Sequence, residues 1–312
     1  MRAITVSSYG ASPSVTDLPT PQAGPGQVLI AIQAAGMNPM DVQIANGAWR
    51  DRVPATFPMV LGADMAGTVR EDGPGGGRFA PGDEVFGQLL LPPLGSTGTY
   101  AEYVACGQDA PLARIPAGLD AVTAAALPTV GVTALAIAEL LAPLDGKIVL
   151  IVGAAGGVGS FLTQFAAQAG AHVDAVAPVG EAERMTSYGA AETIDRAAMP
   201  LPEAVARMHP DGIDVLVDVA SDAGQFAALA GHVRPGGTAL STRYVADQET
   251  LARAGVTGVN FQLSMTVPLL DRLASRVVAA SIVPPPITRI SLDDVPALLA
   301  GRHTEGKTVI TM

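Results

Sequence analysis

The stretch GAAGGVG, Gly153 to Gly159, stands between an apolar run at Lys147–Val152 and a helical pattern over Val158–Ala169. Aligned on the fingerprint of dinucleotide-binding turns, Ala154 takes the first glycine position, Gly156 the second and Gly159 the third. The second must be bare so that main chain can approach a pyrophosphate; the third lets the helix pack closely on the strand. Gly157 and Val158 then open the helix. Their amides face the phosphates, aided by the positive end of the helix dipole. The same spacing also arises by chance in a chain with 35 glycines, as a tight turn that holds nothing. Its context, with a strand before it, a helix after it and a second strand at the right distance, favours the anion.

Turns that hold NADH place an acid at the end of the second strand, about 20 residues on, where it bonds the ribose hydroxyls. Here that strand, His172–Ala177, ends in Ala177 and Pro178, and Asp174 sits mid-strand. The missing acid favours NADPH, with NADH as the alternative. Arg184 or Arg196 offers a guanidinium to fork onto a 2′-phosphate. Each also reads as a solvated surface arginine.

Elements of two kinds must position these residues. Residues 1–118 are rich in Gly and Pro with short alternating runs, the signature of a compact β-rich unit. Residues 119–258 alternate strand and helix. The predicted strands are Lys147–Val152, His172–Ala177, Glu192–Ile194, Ile213–Val219 and Gly237–Ser241. The predicted helices lie near Val158–Ala169, Glu181–Tyr188, Pro202–Met208 and Ala223–Val233. That rhythm implies a parallel sheet covered on both faces. Residues 259–312 hold a helical stretch at Thr266–Ala280, an N-cap signal at Ser291 and a last strand at Lys307–Thr311. The α/β unit is therefore expected to be inserted in the β-rich unit, with the tail returning to it.

Composition narrows the partners. The chain has 312 residues, 49% of them hydrophobic and 15% charged, enough to bury a large core. Its net charge of −11 disfavours nucleic acid and anionic membrane surfaces. Cys106 is the only cysteine, so no internal disulfide and no Cys-rich zinc site can form. The apolar stretch Ala124–Leu144 is long enough for a bilayer, but Pro128 interrupts it and Glu139 would be stranded in hydrocarbon. No signal-peptide core follows Met1, and a cytoplasmic protein is expected.

Several stretches in order, AAGMNPMDVQIANG, PMVLGADMAGTV, GDEVFG, GTYAEYV, AAALPTVGVTAL, VLIVGAAGGVGS, SYGAAETID, DVLVDVA and EGKTVI, resemble the medium-chain dehydrogenase/reductase superfamily, in particular its zinc-independent quinone oxidoreductase branch. The resemblance implies a GroES-like β-rich catalytic domain with an inserted Rossmann domain. It also implies a nicotinamide coenzyme, a small-molecule substrate and a homodimer. Zinc-using relatives carry Cys, then His and Glu, where this chain has Asn38, Ala63 and Asp64, so no metal is expected there. Without a Lewis acid, the reaction shifts toward hydride transfer to a quinone, or to the conjugated double bond of an enone or alkenal.

Further site residues follow from the resemblance by position. Thr133 corresponds to a threonine near the nicotinamide. Ser241, Thr242 and Arg243 follow the fifth strand, where the family's chain edges the adenosine or pyrophosphate. Arg196 corresponds to a residue around the 2′-phosphate, and Ala177 and Glu181 stand where NADPH-using relatives often have Ser and Lys. Asn38 is the first catalytic candidate, because its neutral amide can donate to a developing enolate or phenolate oxygen. Asp41, a helical turn later, would orient Asn38 or a proton-supplying water. Asn–Pro is equally a turn signal and Asp41 equally a helix N-terminal acid. None of His172, His209, His232 and His303 falls in these stretches, and none is assigned to catalysis. An enoyl-thioester reductase and a coenzyme-binding protein without turnover remain as alternatives.

Overall fold

The computed structural model describes residues 1–299 and 306–312, and the chain divides into two compact units, 1–132 with 265–312, and 133–264. His303 and Glu305 lie outside the described residues. The first unit extends to Val132, taking in Ala121–Ala126 and the first residues of the helix that begins at Pro128.

The first unit begins with β1 (Arg2–Val6), β2 (Ser14–Asp17), β3 (Gln27–Gly36), α1 (Pro39–Ala45), β4 (Met59–Val60), β5 (Asp64–Asp72), β6 (Glu84–Gln88), β7 (Tyr103–Gly107) and β8 (Leu112–Arg114). Next come α2 (Ala121–Ala126) and α3 (Pro128–Leu141), and the unit boundary runs through α3. Pro128 starts a new helix, as its preset φ and missing N–H favour. Among the described residues, no helix is long and apolar enough to cross a membrane.

The second unit alternates β9 (Ile148–Val152), α4 (Gly157–Gln168), β10 (His172–Val176), α5 (Ala182–Ser187), β11 (Glu192–Ile194), α6 (Leu201–Met208), β12 (Ile213–Asp218), α7 (Ala223–Ala230), β13 (Val233–Ser241), α8 (Gln248–Arg253) and β14 (Thr257–Asn260). The chain then returns to the first unit through α9 (Val267–Val278), β15 (Ile287–Ser291), α10 (Val295–Leu299) and β16 (Lys307–Thr311).

In the first unit, β15, β16, β3, β5, β6 and β8 lie side by side, β7 pairs with β3, and β2–β1–β4 form a smaller sheet. Ile4, Ile30, Met65, Tyr100 and Leu112 are fully buried in its core. The second unit is a six-stranded parallel sheet in the order β11-β10-β9-β12-β13-β14. Leu150, Leu216, Phe226 and Leu229 pack beneath it. The strand order reverses between β9 and β12, and ligands of open α/β sheets bind at that switch point, beyond the carboxyl ends of the strands. The protein is thus mixed α/β, a GroES-like unit with a Rossmann-like unit.

Candidate functional site

The glycine loop leaves β9 at the switch point. Gly153 has φ +86°, which turns the chain sharply, and Gly156 is the N-cap of α4. The first full-turn bond of α4 runs from Ser160 N to Gly156 O, which leaves the amides of Gly157, Val158 and Gly159 ahead of it. A Cβ on Gly159 would come within 2.3 Å of Gly153 O and 2.5 Å of Ala154 Cα, so this glycine is demanded by protein packing. A Cβ on Gly156 would meet only Gly153 O, at 3.3 Å, and Gly156 has an ordinary φ of −76°. Nothing in the fold itself strongly requires Gly156 to be bare. A pyrophosphate resting on the loop would.

Register lines up Val152, Asp218, Ser241 and Asn260 along the same carboxyl edge. Ser241 is fully buried, and its Oγ accepts from Arg243 N at 3.0 Å, which closes the turn that carries Thr242 and exposes Arg243. Arg196 follows β11 on that edge and is also exposed. Thr133 is buried on α3. Arg184 is committed elsewhere. Its guanidinium donates to Glu181 Oε2 at 2.5 Å, Ser160 Oγ at 2.8 Å and Ala155 O at 2.9 Å. It braces the loop with its charge already paired. Of the two arginines weighed for a 2′-phosphate, Arg196 is therefore the one whose guanidinium makes no hydrogen bond or ion pair among the described residues. Asp218, at the end of β12, accepts at Oδ1 from Ala220 N and Ser221 N, while among the described residues its buried Oδ2 has no hydrogen bond.

The first unit holds a second polar centre. Lys307 on β16 is buried, and its three N–H bonds point at Met37 O (2.9 Å), Asn38 Oδ1 (2.6 Å) and Asp64 Oδ2 (3.4 Å). An ammonium only donates, so Asn38 must turn its oxygen to Lys307 and its nitrogen away. Asn38 Nδ2 then donates to Asp64 Oδ2 at 2.9 Å and to Gly36 O at 3.4 Å. Asp64 also accepts from Thr129, from Oγ1 at 2.5 Å and from N at 3.1 Å, and Gln88 donates to Thr129 Oγ1 at 2.6 Å. Burial pulls the Lys307 pKa down, and Asp64 and Asp41 oppose that shift.

Asp41 stands apart from this hub. Its Oδ2 accepts from Asn38 N at 2.8 Å and from the Tyr100 hydroxyl at 2.5 Å. It therefore caps α1 and holds the main chain of Asn38. Burial pushes its pKa up to about 7 against the pull of those two donors. Burial, with the neighbouring Asp41 charge, raises the Tyr100 phenol well above its usual range. Tyr100 is fully buried, and its hydroxyl completes this pair. Trp49 packs against the apolar core of the same unit.

Comparison with known proteins agrees with this architecture. Residues 24–117 match the alcohol dehydrogenase GroES-like domain, and residues 157–266 match the zinc-binding dehydrogenase family. A chloroplast envelope quinone oxidoreductase homolog of Arabidopsis thaliana is 34% identical over 68% of this chain, and the matched region spans 65% of its own length. Quinone-oxidoreductase QR1 of Triphysaria versicolor is 33% identical over 71% of this chain and 68% of its own. The solved quinone oxidoreductase of Coxiella burnetii superposes with a TM-score of 0.88 over 100% of this chain and 99% of its own, at 26% identity. Members of the family so matched use a nicotinamide coenzyme, and the loop at Gly156 fits its pyrophosphate. The chain belongs to the medium-chain dehydrogenase/reductase superfamily.

Proposed function

We propose that the protein is an oxidoreductase that uses NADPH to reduce a quinone, or the conjugated double bond of an enone or alkenal. The observation that carries this reading is the contrast at the loop, where packing dictates Gly159 and leaves Gly156 open to a ligand. The names of the relatives, quinone oxidoreductases among them, supply the acceptor class.

When bound, the coenzyme supplies the hydride. Gly156, Gly157, Val158 and Gly159 hold the pyrophosphate on main-chain amides. Ser241, Thr242 and Arg243 border it from the neighbouring strand end, and Thr133 sits toward the nicotinamide. Arg196 meets the 2′-phosphate, and no carboxylate at Ala177 or Pro178 repels it. Asn38 and Asp41 shape the substrate end of the first unit. Since both ends of the Asn38 amide are engaged within the protein, its role here is positioning, in place of the free donor read from sequence.

The reading includes no zinc at Asp64. Ala63 offers no ligand, and the Asp64 carboxylate is taken by a buried ammonium, an amide and a threonine. A dication beside Lys307 would meet like charge at short range. The protein is further read as a cytoplasmic homodimer that binds neither nucleic acid nor membrane.

A second reading, an enoyl reductase, has its own support: the trans-enoyl reductase pgmF of Aspergillus terreus is 34% identical over 62% of this chain. The test is NADPH oxidation, followed at the nicotinamide absorbance, with quinones, enones and 2-enoyl thioesters as separate acceptors. Turnover with quinones or enones supports the first reading. Turnover confined to thioesters supports the second, and coenzyme binding without any turnover refutes both.

A further inference from the structure

We infer that the second unit carries a divalent transition-metal site, built by His172, Asp174 and His209. It lies at the amino-terminal edge of the parallel sheet, opposite the edge with the glycine loop. His172 opens β10, Asp174 follows on the same strand face, and His209 caps the end of α6.

Asp174 is fully buried, and both imidazoles turn Nε2 toward it. His209 Nε2 lies 2.6 Å from Oδ2 and His172 Nε2 lies 3.3 Å from Oδ1. Among the described residues, Oδ1 accepts no hydrogen bond. A buried carboxylate oxygen left in that state is costly, so it signals a missing partner. The three donor atoms all lie within 4.8 Å of one another, and the rings meet edge to face at 6.0 Å.

The donor set fixes the kind of ion. Two imidazole nitrogens and one carboxylate suit zinc and its neighbours, while calcium and magnesium prefer oxygen alone. Zinc–ligand bonds of about 2.0–2.2 Å in a tetrahedron separate ligands by about 3.3 Å. The His172–Asp174 separation of 3.3 Å already matches. The His209–Asp174 pair must open from its hydrogen-bonded 2.6 Å, with His209 carrying its proton on Nδ1 so that Nε2 is free for the metal. His172 is exposed, so a water completes the fourth position from that side. Glu192, in register with Asp174 on β11, adds negative potential. The metal would tie β10 to the end of α6, distant from any hydride chemistry, and the inference does not depend on the proposed activity.

The test uses the full chain after treatment with a chelator. Zinc is titrated by calorimetry, and cobalt is titrated separately for its visible d–d absorption. Wild type is expected to bind one equivalent and to unfold at a higher temperature with zinc. Loss of an outer-shell partner alone costs about 10–100-fold in metal affinity. His172→Gln and His209→Gln, which each remove a ligand, should therefore weaken binding at least about tenfold and abolish the thermal shift. Far-UV circular dichroism and a cooperative metal-free melt, unchanged in both variants, report that they are folded; because His172 is exposed, its variant is safe even if the other misfolds. No binding by wild type, or wild-type affinity retained in either folded variant, overturns the site.

Discussion

Lys307 Nζ bonds Asn38 Oδ1 at 2.6 Å, although the two residues lie 269 positions apart in the chain. This bond dictates which end of the amide faces Asp64, and so couples the last strand to the start of α1. Removing the ammonium leaves a buried carboxylate with hydrogen bonds but no counter-charge. Lys307→Met is expected to cost about 3–5 kcal/mol in urea unfolding, the usual cost of breaking a buried pair from one side. Adding Asp64→Asn to it should recover part of that loss. A single variant as stable as wild type would show that the ammonium contributes no pairing.

The two glycines at the loop should fail in opposite ways. Gly159→Ala forces a Cβ to 2.3 Å from Gly153 O, and overpacking of that kind costs about 1–3 kcal/mol or more of stability. Gly156→Val meets little protein and keeps an allowed φ, so its unfolding midpoint should stay near that of wild type. Its damage falls on the coenzyme, with NADPH affinity lowered about 10–100-fold by an equivalent clash. Calorimetric titration with NADPH and a thermal melt on each variant separate the two effects. Undiminished affinity in Gly156→Val would remove the loop from the coenzyme site.

Asp41 gives a pH dependence with a definite sign. Its folded pKa stands raised to about 7 from an ordinary 3.8, so between these values the folded state holds a proton that the unfolded state has lost. Its contribution to stability is complete below about pH 4 and declines as pH rises to about 7. At about 1.4 kcal/mol per pKa unit the full swing is on the order of 4 kcal/mol. Asp83, Asp120 and Asp247, whose pKa values are lowered, act in the opposite direction, so the comparison must be with a variant. Asp41→Asn keeps an acceptor for Tyr100 and Asn38 N and removes the titration. Urea unfolding at pH 5 and pH 8 should show the wild type losing more stability than Asp41→Asn over that interval. Parallel profiles would mean that Asp41 is ionised in the folded protein throughout.

What the sequence shows and hides follows from where the information lies. The runs at Ile148–Val152 and Ile213–Asp218 are apolar without a break and end in turn residues, so strands buried on both faces announce themselves locally. The short α8 and β14 carry no such signal, because Gln248–Arg253 is too brief for a helical period and Thr257–Asn260 contains Gly and Asn. The hub at Lys307 had no local sign at all, since its partners come from β5, α1, α3 and β16. Tyr100 gave only an aromatic in a strand-like run, and nothing in its neighbours points to Asp41. The His172–Asp174 pair was legible as two residues on one strand face, whereas His209 joins them only through the crossover that folds α6 back over the sheet.

In the proposed coenzyme site, preference is expected to turn on Arg196, which the resemblance favours, and on Arg184, which the residues alone offer equally. Arg184 spends its guanidinium on Glu181, Ser160 and Ala155, while Arg196 is exposed and makes no hydrogen bond or ion pair among the described residues. A charge-assisted bond to a phosphate is worth about 1.5–3 kcal/mol, or roughly 10–100-fold in affinity. Arg196→Ala should therefore weaken NADPH binding by about that factor and leave NADH within about twofold. Arg184→Ala releases the brace on the loop, so it should weaken both coenzymes together and lower thermal stability. Fluorescence titration of each variant with NADPH and NADH gives the four affinities. Equal losses in Arg196→Ala would exclude that residue as the reader of the 2′-phosphate, and a selective loss in Arg184→Ala would transfer the role to it.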